Sequence, residues 1–168
     1  MITLALDLST KSTGYAVYQG KRLLTYGCIT ASSTDLIARI NKISKELGER
    51  VVSKYDVDRV VIEEVIPKDT TTSTVKNLQT QRALMWMQAA VAFMLYSYNK
   101  KLDIEYLYPS EWRKKCGIKT GRGVRRDEQK PYDIKFVKDV YKIDVNDDIA
   151  DAIGIGYAAV NSPAEINF

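Results

Sequence analysis

The chain opens on ITLALDLS, in which Ile2, Leu4, Leu6 and Leu8 alternate with Thr3, Ala5 and Asp7. Alternation with period two marks a β-strand, because successive strand side chains leave on opposite faces. A carboxylate inside that apolar run is costly unless something neutralises it. Three further acids sit in comparable surroundings: Glu63 near the end of RVVIEEVIP, and Asp148 and Asp151 one helical turn apart in DDIADAIGIGYAA. Separate stretches of chain can thus deliver acidic groups to one place. The sequence has no histidine, which excludes a catalytic imidazole and a histidine-ligated zinc. Carboxylates alone suit hard, oxygen-preferring cations such as Mg²⁺ or Mn²⁺. The pattern points to metal-dependent phosphate chemistry.

The first strand is followed by a turn at Ser9 to Gly14, a strand Tyr15 to Tyr18, and, after Gln19-Gly20, a strand Arg22 to Ile29. Successive hairpins predict three antiparallel strands. Ser32 or Ser33 can cap a helix whose stripe is Leu36, Ile40, Ile43, Leu47 and Val51. A strand from Arg59 to Ile66 breaks at Pro67. The helix predicted from Thr74 to Tyr98 is apolar nearly all round its middle, so more than one side needs covering. One side can face the sheet, and the other calls for a further helix or a second subunit. A strand Ile104 to Tyr108 leads into a basic, glycine-rich segment. Pro131 suits the first turn of a helix bearing Ile134, Val137 and Val140, and a last helix begins near Asn146 and ends before Pro163. The order predicts an α/β fold: a mixed five-stranded sheet, three strands antiparallel and then parallel ones, with helices on both faces.

A length of 168 residues predicts one domain, 1–168. The run Ala83 to Tyr98 is too short for the roughly 20 apolar residues of a membrane span, and Gln88 interrupts it. Strand-like sequence at the N-terminus leaves no room for a signal peptide. Cys28 and Cys116 form no CxxC pattern, so free thiols in a reducing cytoplasm are expected. Net charge is +4, and Glu111 to Lys130 carries eight Lys/Arg against three Asp/Glu. Those cations are Arg113, Lys114, Lys115, Lys119, Arg122, Arg125, Arg126 and Lys130. Such a cluster is either a solvated loop or a footprint for a polyanion. Nearby carboxylates favour nucleic acid.

Asp148 and Asp151 share one helix face, and either alone could simply complement the helix dipole. That explanation does not reach Asp7, which is mid-strand, nor a Glu-Glu pair in a Val/Ile strand. Glu63 and Glu64 point to opposite faces, and alternation cannot say which one meets Asp7.

ALDLSTKSTGYAVY resembles the first hairpin of the RuvC-type Holliday-junction resolvases of the RNase H-like superfamily. VVIEEVIP resembles their fourth strand and DDIADAIGIGYAA their last helix, with its D-x-x-D pair. The motifs occur in the family's order over nearly the whole chain. The resemblance implies an RNase H-like fold and a catalytic, metal-holding quartet of Asp7, Glu63, Asp148 and Asp151, with Glu64 second to Glu63. It implies basic residues near the scissile phosphate, for which Arg113 and Lys130 are the nearest matches. It also implies two Mg²⁺ ions per site, with Mn²⁺ substituting, branched DNA as substrate, and a homodimer through the Thr74 to Tyr98 helix. The aromatic residue that often follows the strand-four glutamate by three positions is Ile66 here; with the small size and YPSEWRKKCG this resembles a viral or otherwise divergent member, cytoplasmic, in a bacterial host's cytoplasm if viral. Tyr108, Trp112 and the loop Thr70 to Thr74 are further candidate contacts to DNA backbone or unpaired bases. Two other readings remain: a non-catalytic branched-DNA-binding module of the same fold, and a phosphotransferase of the actin/hexokinase kind. The second needs another lobe, for which the chain has no room.

Overall fold

The computed structural model describes residues 1–65, 75–119 and 126–161. Strands β1 (Ile2–Asp7), β2 (Ser12–Gln19) and β3 (Arg22–Thr30) form the antiparallel half of the sheet. Helix α1 (Leu36–Leu47) continues into a π-helical turn, Gly48–Val52, which delivers Val51 to the core. Then come β4 (Arg59–Glu63), α2 (Val75–Tyr98), β5 (Asp103–Leu107), α3 (Pro109–Lys115), α4 (Arg126–Tyr141) and α5 (Asp147–Asn161). The sheet order is β3-β2-β1-β4-β5, with β1, β4 and β5 parallel to one another. The expected mixed five-stranded sheet is present.

The two faces of β1 enter different cores. Leu4, Leu6 and Leu8 pack with Val17, Val60 and Ile62 beneath α1 and α2. Ala5 packs with Ala16, Tyr18 and Val61 under Trp112 of α3, Val137 of α4 and Ala152, Ile153 and Ile155 of α5. The small residues on this second face let α5 lie close to β1 and β2. Tyr18, fully buried, donates its hydroxyl to the Ile153 carbonyl at 2.8 Å and so ties the helix to the strand.

Several local expectations are corrected. The α1 cap is Asp35, whose Oδ1 accepts from the Ile37 amide at 2.8 Å; Ser33, two residues earlier, instead accepts from the Asp35 amide. Strand β4 ends at Glu63, and Ile66, Pro67 and the Thr70 to Thr74 loop lie outside the described residues. The start of the basic segment is helical: Pro109 opens α3 with a preset φ, and the Tyr108 amide donates to Glu111 Oε2 at 3.0 Å. Pro131 is inside α4 rather than in its first turn. The helix extends upstream of it, at the loss of one backbone hydrogen bond.

Helix α2 buries Met87, Val91 and Leu95 completely. Its other side leaves Leu78, Met85, Trp86, Phe93 and Tyr96 exposed, Phe93 by 81%. No helix among the described residues is long and apolar enough to cross a membrane. Both cysteines are free.

Candidate active site

Asp7 ends β1 and Glu63 ends β4, both at the carboxyl edge of the parallel strands. The β1–β4 register pairs Leu6 with Ile62, so the next residues, Asp7 and Glu63, stand side by side. Asp7 shares the pleat face of Ala5 and Glu63 that of Val61, and both face α5. Glu64 has the opposite parity and lies beside Tyr106, whose hydroxyl its charge pushes up after burial has done so. The register therefore selects Glu63 as the glutamate that meets Asp7.

The N-terminal part of α5 adds Asp148 in its first turn and Asp151 one turn further on. Burial first, then the charges of Glu63 and Asp148, push the Asp7 carboxyl up to about 8. Asp151 rises to about 9, through burial and then repulsion from Asp7 and Asp133. Burial, reinforced by mutual repulsion, places these carboxylates in one low-dielectric neighbourhood. Among the described residues no three of them already converge around one cation position. Asp148, Glu63 and Asp151 are each turned to a neighbour of their own. Asp148 Oδ2 accepts a short hydrogen bond from Ser12 Oγ, which also touches Cys28 Sγ at 3.0 Å. Glu63 Oε2 accepts from Trp112 Nε1 at 2.7 Å, and its carbonyl accepts from Gln88 Nε2 at 3.0 Å. Asp151 Oδ2 lies 3.5 Å from Arg113 Nη2.

The fit to a divalent cation rests on Asp151 Oδ1, which is buried without a hydrogen-bond partner among the described residues. A buried carboxylate oxygen left unpaired is expensive, and three acidic neighbours make the deficit one of positive charge. Oxygen-only donors at such a site suit Mg²⁺ or Mn²⁺.

The basic residues divide into two groups. Lys130 is half exposed and forms a short ion pair with Asp147 at the start of α5; that contact raises the lysine and lowers the aspartate. Lys114, Lys115 and Lys119 are exposed. Arg113 is turned inward, its side chain 14% exposed, with Nε 3.1 and 3.0 Å from the two Asp133 oxygens. Arg122, Arg125 and the side chain of Arg126 lie outside the described residues. Trp112 is fully buried and cannot stack on a base, whereas Tyr108 is exposed. Sequence reasoning missed Ser12 and Asp133 as neighbours of the site. Neither sits in a pattern that would separate it from an ordinary turn serine or a helical surface aspartate.

Residues 3–159 match the family model for crossover junction endodeoxyribonuclease RuvC. A protein of that name from Alkaliphilus oremlandii is 30% identical over 160 residues, covering 92% of this chain and 90% of its own length. One from Rickettsia conorii is 28% identical, covering 95% and 97%. Among solved structures, Thermus thermophilus RuvC in complex with Holliday junction substrate superposes with a TM-score of 0.71 at 15% identity, covering 95% of this chain and 93% of that one. The yeast mitochondrial Holliday junction resolvase gives 0.60 at 13% identity, covering 94% and 77%. Those likenesses establish the fold, a mixed five-stranded sheet with helices on both faces. With the family model spanning nearly all of it, the chain belongs to the RuvC family of crossover junction endodeoxyribonucleases.

Proposed function

We propose that the protein is a structure-selective endodeoxyribonuclease that hydrolyses phosphodiesters at four-way junctions or related branched DNA, dependent on Mg²⁺ or Mn²⁺. The observation that carries this reading is the electrostatic coupling of Asp7, Glu63, Asp148 and Asp151 at one edge of the sheet, in a member of this family. These four residues would hold the cations. When bound there, a pair of divalent ions supplies Lewis acidity to the attacking water and to the leaving 3′ oxygen.

The remaining work falls to the chain. Ser12 holds Asp148 in one orientation and the Trp112 indole holds Glu63. Lys130, its side chain 52% exposed and paired with Asp147, would exchange that partner for the scissile phosphate and offset charge that develops on it. Lys114, Lys115 and Lys119 sit on the adjoining surface, placed to contact flanking phosphates. End-labelled four-way junctions, forks and duplexes incubated with Mg²⁺ should show cleavage of the branched substrates, abolished by EDTA. Glu63→Gln should reduce that cleavage by roughly 10³-fold, about 4 kcal/mol of transition-state stabilisation, and Glu64→Gln should leave most of it. Equal losses in the two variants, or cleavage in EDTA, would overturn the assignment.

The exposed stripe on α2 supports a homodimer in which two copies pack these helices together. Leu78, Met85, Trp86, Phe93 and Tyr96 recur at helical spacing along one side, and Arg82 lies over the Trp86 ring at 5.0 Å. An isologous pair would present equivalent sites to the equivalent strands of a junction. Phe93→Glu buries a charge at the centre of that seam and should convert dimer to monomer at micromolar concentration. Sedimentation equilibrium checks this, and a wild-type chain that sediments as a monomer with and without junction DNA removes the paired arrangement.

A further inference from the structure

Asp133 of α4 is the only charged residue among the described residues that is fully buried. Both its oxygens accept from Arg113 Nε, Oδ2 also lies 2.9 Å from Arg113 Nη2, and Gln129 Nε2 donates to Oδ1 at 3.3 Å. A buried ion pair of this kind is a poor source of stability, since apolar side chains of similar volume do as well. Its geometry suggests another use. The same Nη2 stands 3.5 Å from Asp151 Oδ2, and the guanidinium lies over the Trp112 ring at 4.2 Å. Trp112, the preceding residue, donates its indole N–H to Glu63 at 2.7 Å. The indole is locked against α5, where a Cβ on Gly154 would come within 2.5 Å of the ring. Adjacent residues of α3 thus address carboxylates borne on β4 and on α5.

We infer that Trp112 and Asp133 are positioning residues for the carboxylate cluster, Trp112 holding Glu63 through its indole N–H and Asp133 holding the Arg113 guanidinium beside Asp151. The inference rests on reading the cluster as a cation site. Asp133 matters because of what Arg113 does without it. An unpaired buried guanidinium turns to the nearest anions, which here are Asp151, Asp7 and Glu63. It would then occupy oxygens that a divalent cation needs. With Asp133 in place, Arg113 stays just beyond hydrogen-bond length of Asp151 and leaves Oδ1 open.

Mn²⁺ binding to the full chain, followed by the electron paramagnetic resonance of the free ion, tests this separately from cleavage. Wild type should bind, and Asp7→Asn should bind far more weakly. Trp112→Phe keeps the ring and loses the donor; about a tenfold loss of affinity is expected, the lower end for groups that orient metal ligands. Asp133→Asn should lose at least about as much. Adding Arg113→Gln to Asp133→Asn should recover most of the wild-type affinity, because the competing cation is gone. A purely structural role would lower the melting temperature of Trp112→Phe and Asp133→Asn without moving Mn²⁺ affinity below it, and that result overturns the inference. So does a double variant no better than Asp133→Asn. Should Asp133→Asn not fold, Trp112→Phe decides alone, unchanged affinity overturning the inference. Equal binding by wild type and Asp7→Asn would instead show that the cluster is not the cation site, and both readings fall.

Discussion

Asp7→Asn should lose cleavage by on the order of 10³-fold, about 4 kcal/mol, while making the metal-free protein more stable at pH 8. The first effect follows from losing a charged cation ligand, the second from the burial of Asp7 and then its repulsion by Glu63 and Asp148. Asp7 and Asp151 have folded-state values raised to about 8 and about 9, against about 4 in an unfolded chain. Between those limits the native state binds more protons than the unfolded state, so stability falls as pH rises. With respect to these groups the metal-free protein should therefore be most stable at or below about pH 4, and should lose that contribution progressively up to about pH 9. Divalent cations require the ionised carboxylates, so their affinity should grow over the same window and restore what deprotonation removes. Asparagine at position 7 carries no charge at any pH. It removes the Asp7 share of the decline and relieves Asp151, raising the melting temperature at pH 8 by roughly 5 °C, the shift that about 1–2 kcal/mol produces in a domain of this size. Thermal scans at pH 5 and pH 8, with and without Mg²⁺, check the sign. A variant less stable than wild type at pH 8 without metal would mean that Asp7 is held by an attractive partner.

The acidic edge of the sheet was legible from the sequence because of where the acids sit. Asp7 in an apolar strand has no cheap structural explanation, and β1 forms as the alternation requires. The choice between Glu63 and Glu64 was not legible from residues alone. It depends on the Leu6–Ile62 pairing, a long-range register that no local pattern encodes. Helix α3 escaped notice for a related reason. PSEWRKK has one apolar residue, Trp112, so no stripe marks it as a helix, and its stability comes from burying that single indole. The inward turn of Arg113 was hidden in the same way. Within a run of cations it looks like its neighbours Lys114 and Lys115, and only the packing of α4 against α3 supplies the buried Asp133 that sets it apart. Composition reported the charge of this segment correctly and could not report which charges face water.

Gly14→Ala should be the most damaging glycine-to-alanine change among the described residues. Gly14 pairs with Asp7 across β1 and β2, directly beneath the first turn of α5. A Cβ there would stand 1.9 Å from the Asp148 carbonyl oxygen, 2.6 Å from its carbon and 3.3 Å from the Ala152 Cβ. The first two are backbone atoms inside a helix, so no rotamer change relieves the contact. The helix itself must lift from β2, against the buried packing of Ala152, Ile153 and Ile155. Overpacking of this kind costs about 3 kcal/mol or more when the obstacle cannot move, which corresponds to a melting temperature lower by roughly 10 °C. The functional loss should exceed the loss of stability. Lifting α5 carries Asp148 away from Ser12 and both aspartates away from Asp7 and Glu63, and a misplacement of about 1 Å can cost 10²-fold in rate. Assayed well below its own melting temperature, where the chain is folded, Gly14→Ala should still cleave at least about 10²-fold more slowly than wild type. Wild-type cleavage with only a lowered melting temperature would show that α5 tolerates a shift of this size, and that the spacing between the two aspartates and the sheet is not what the close approach at Gly14 maintains.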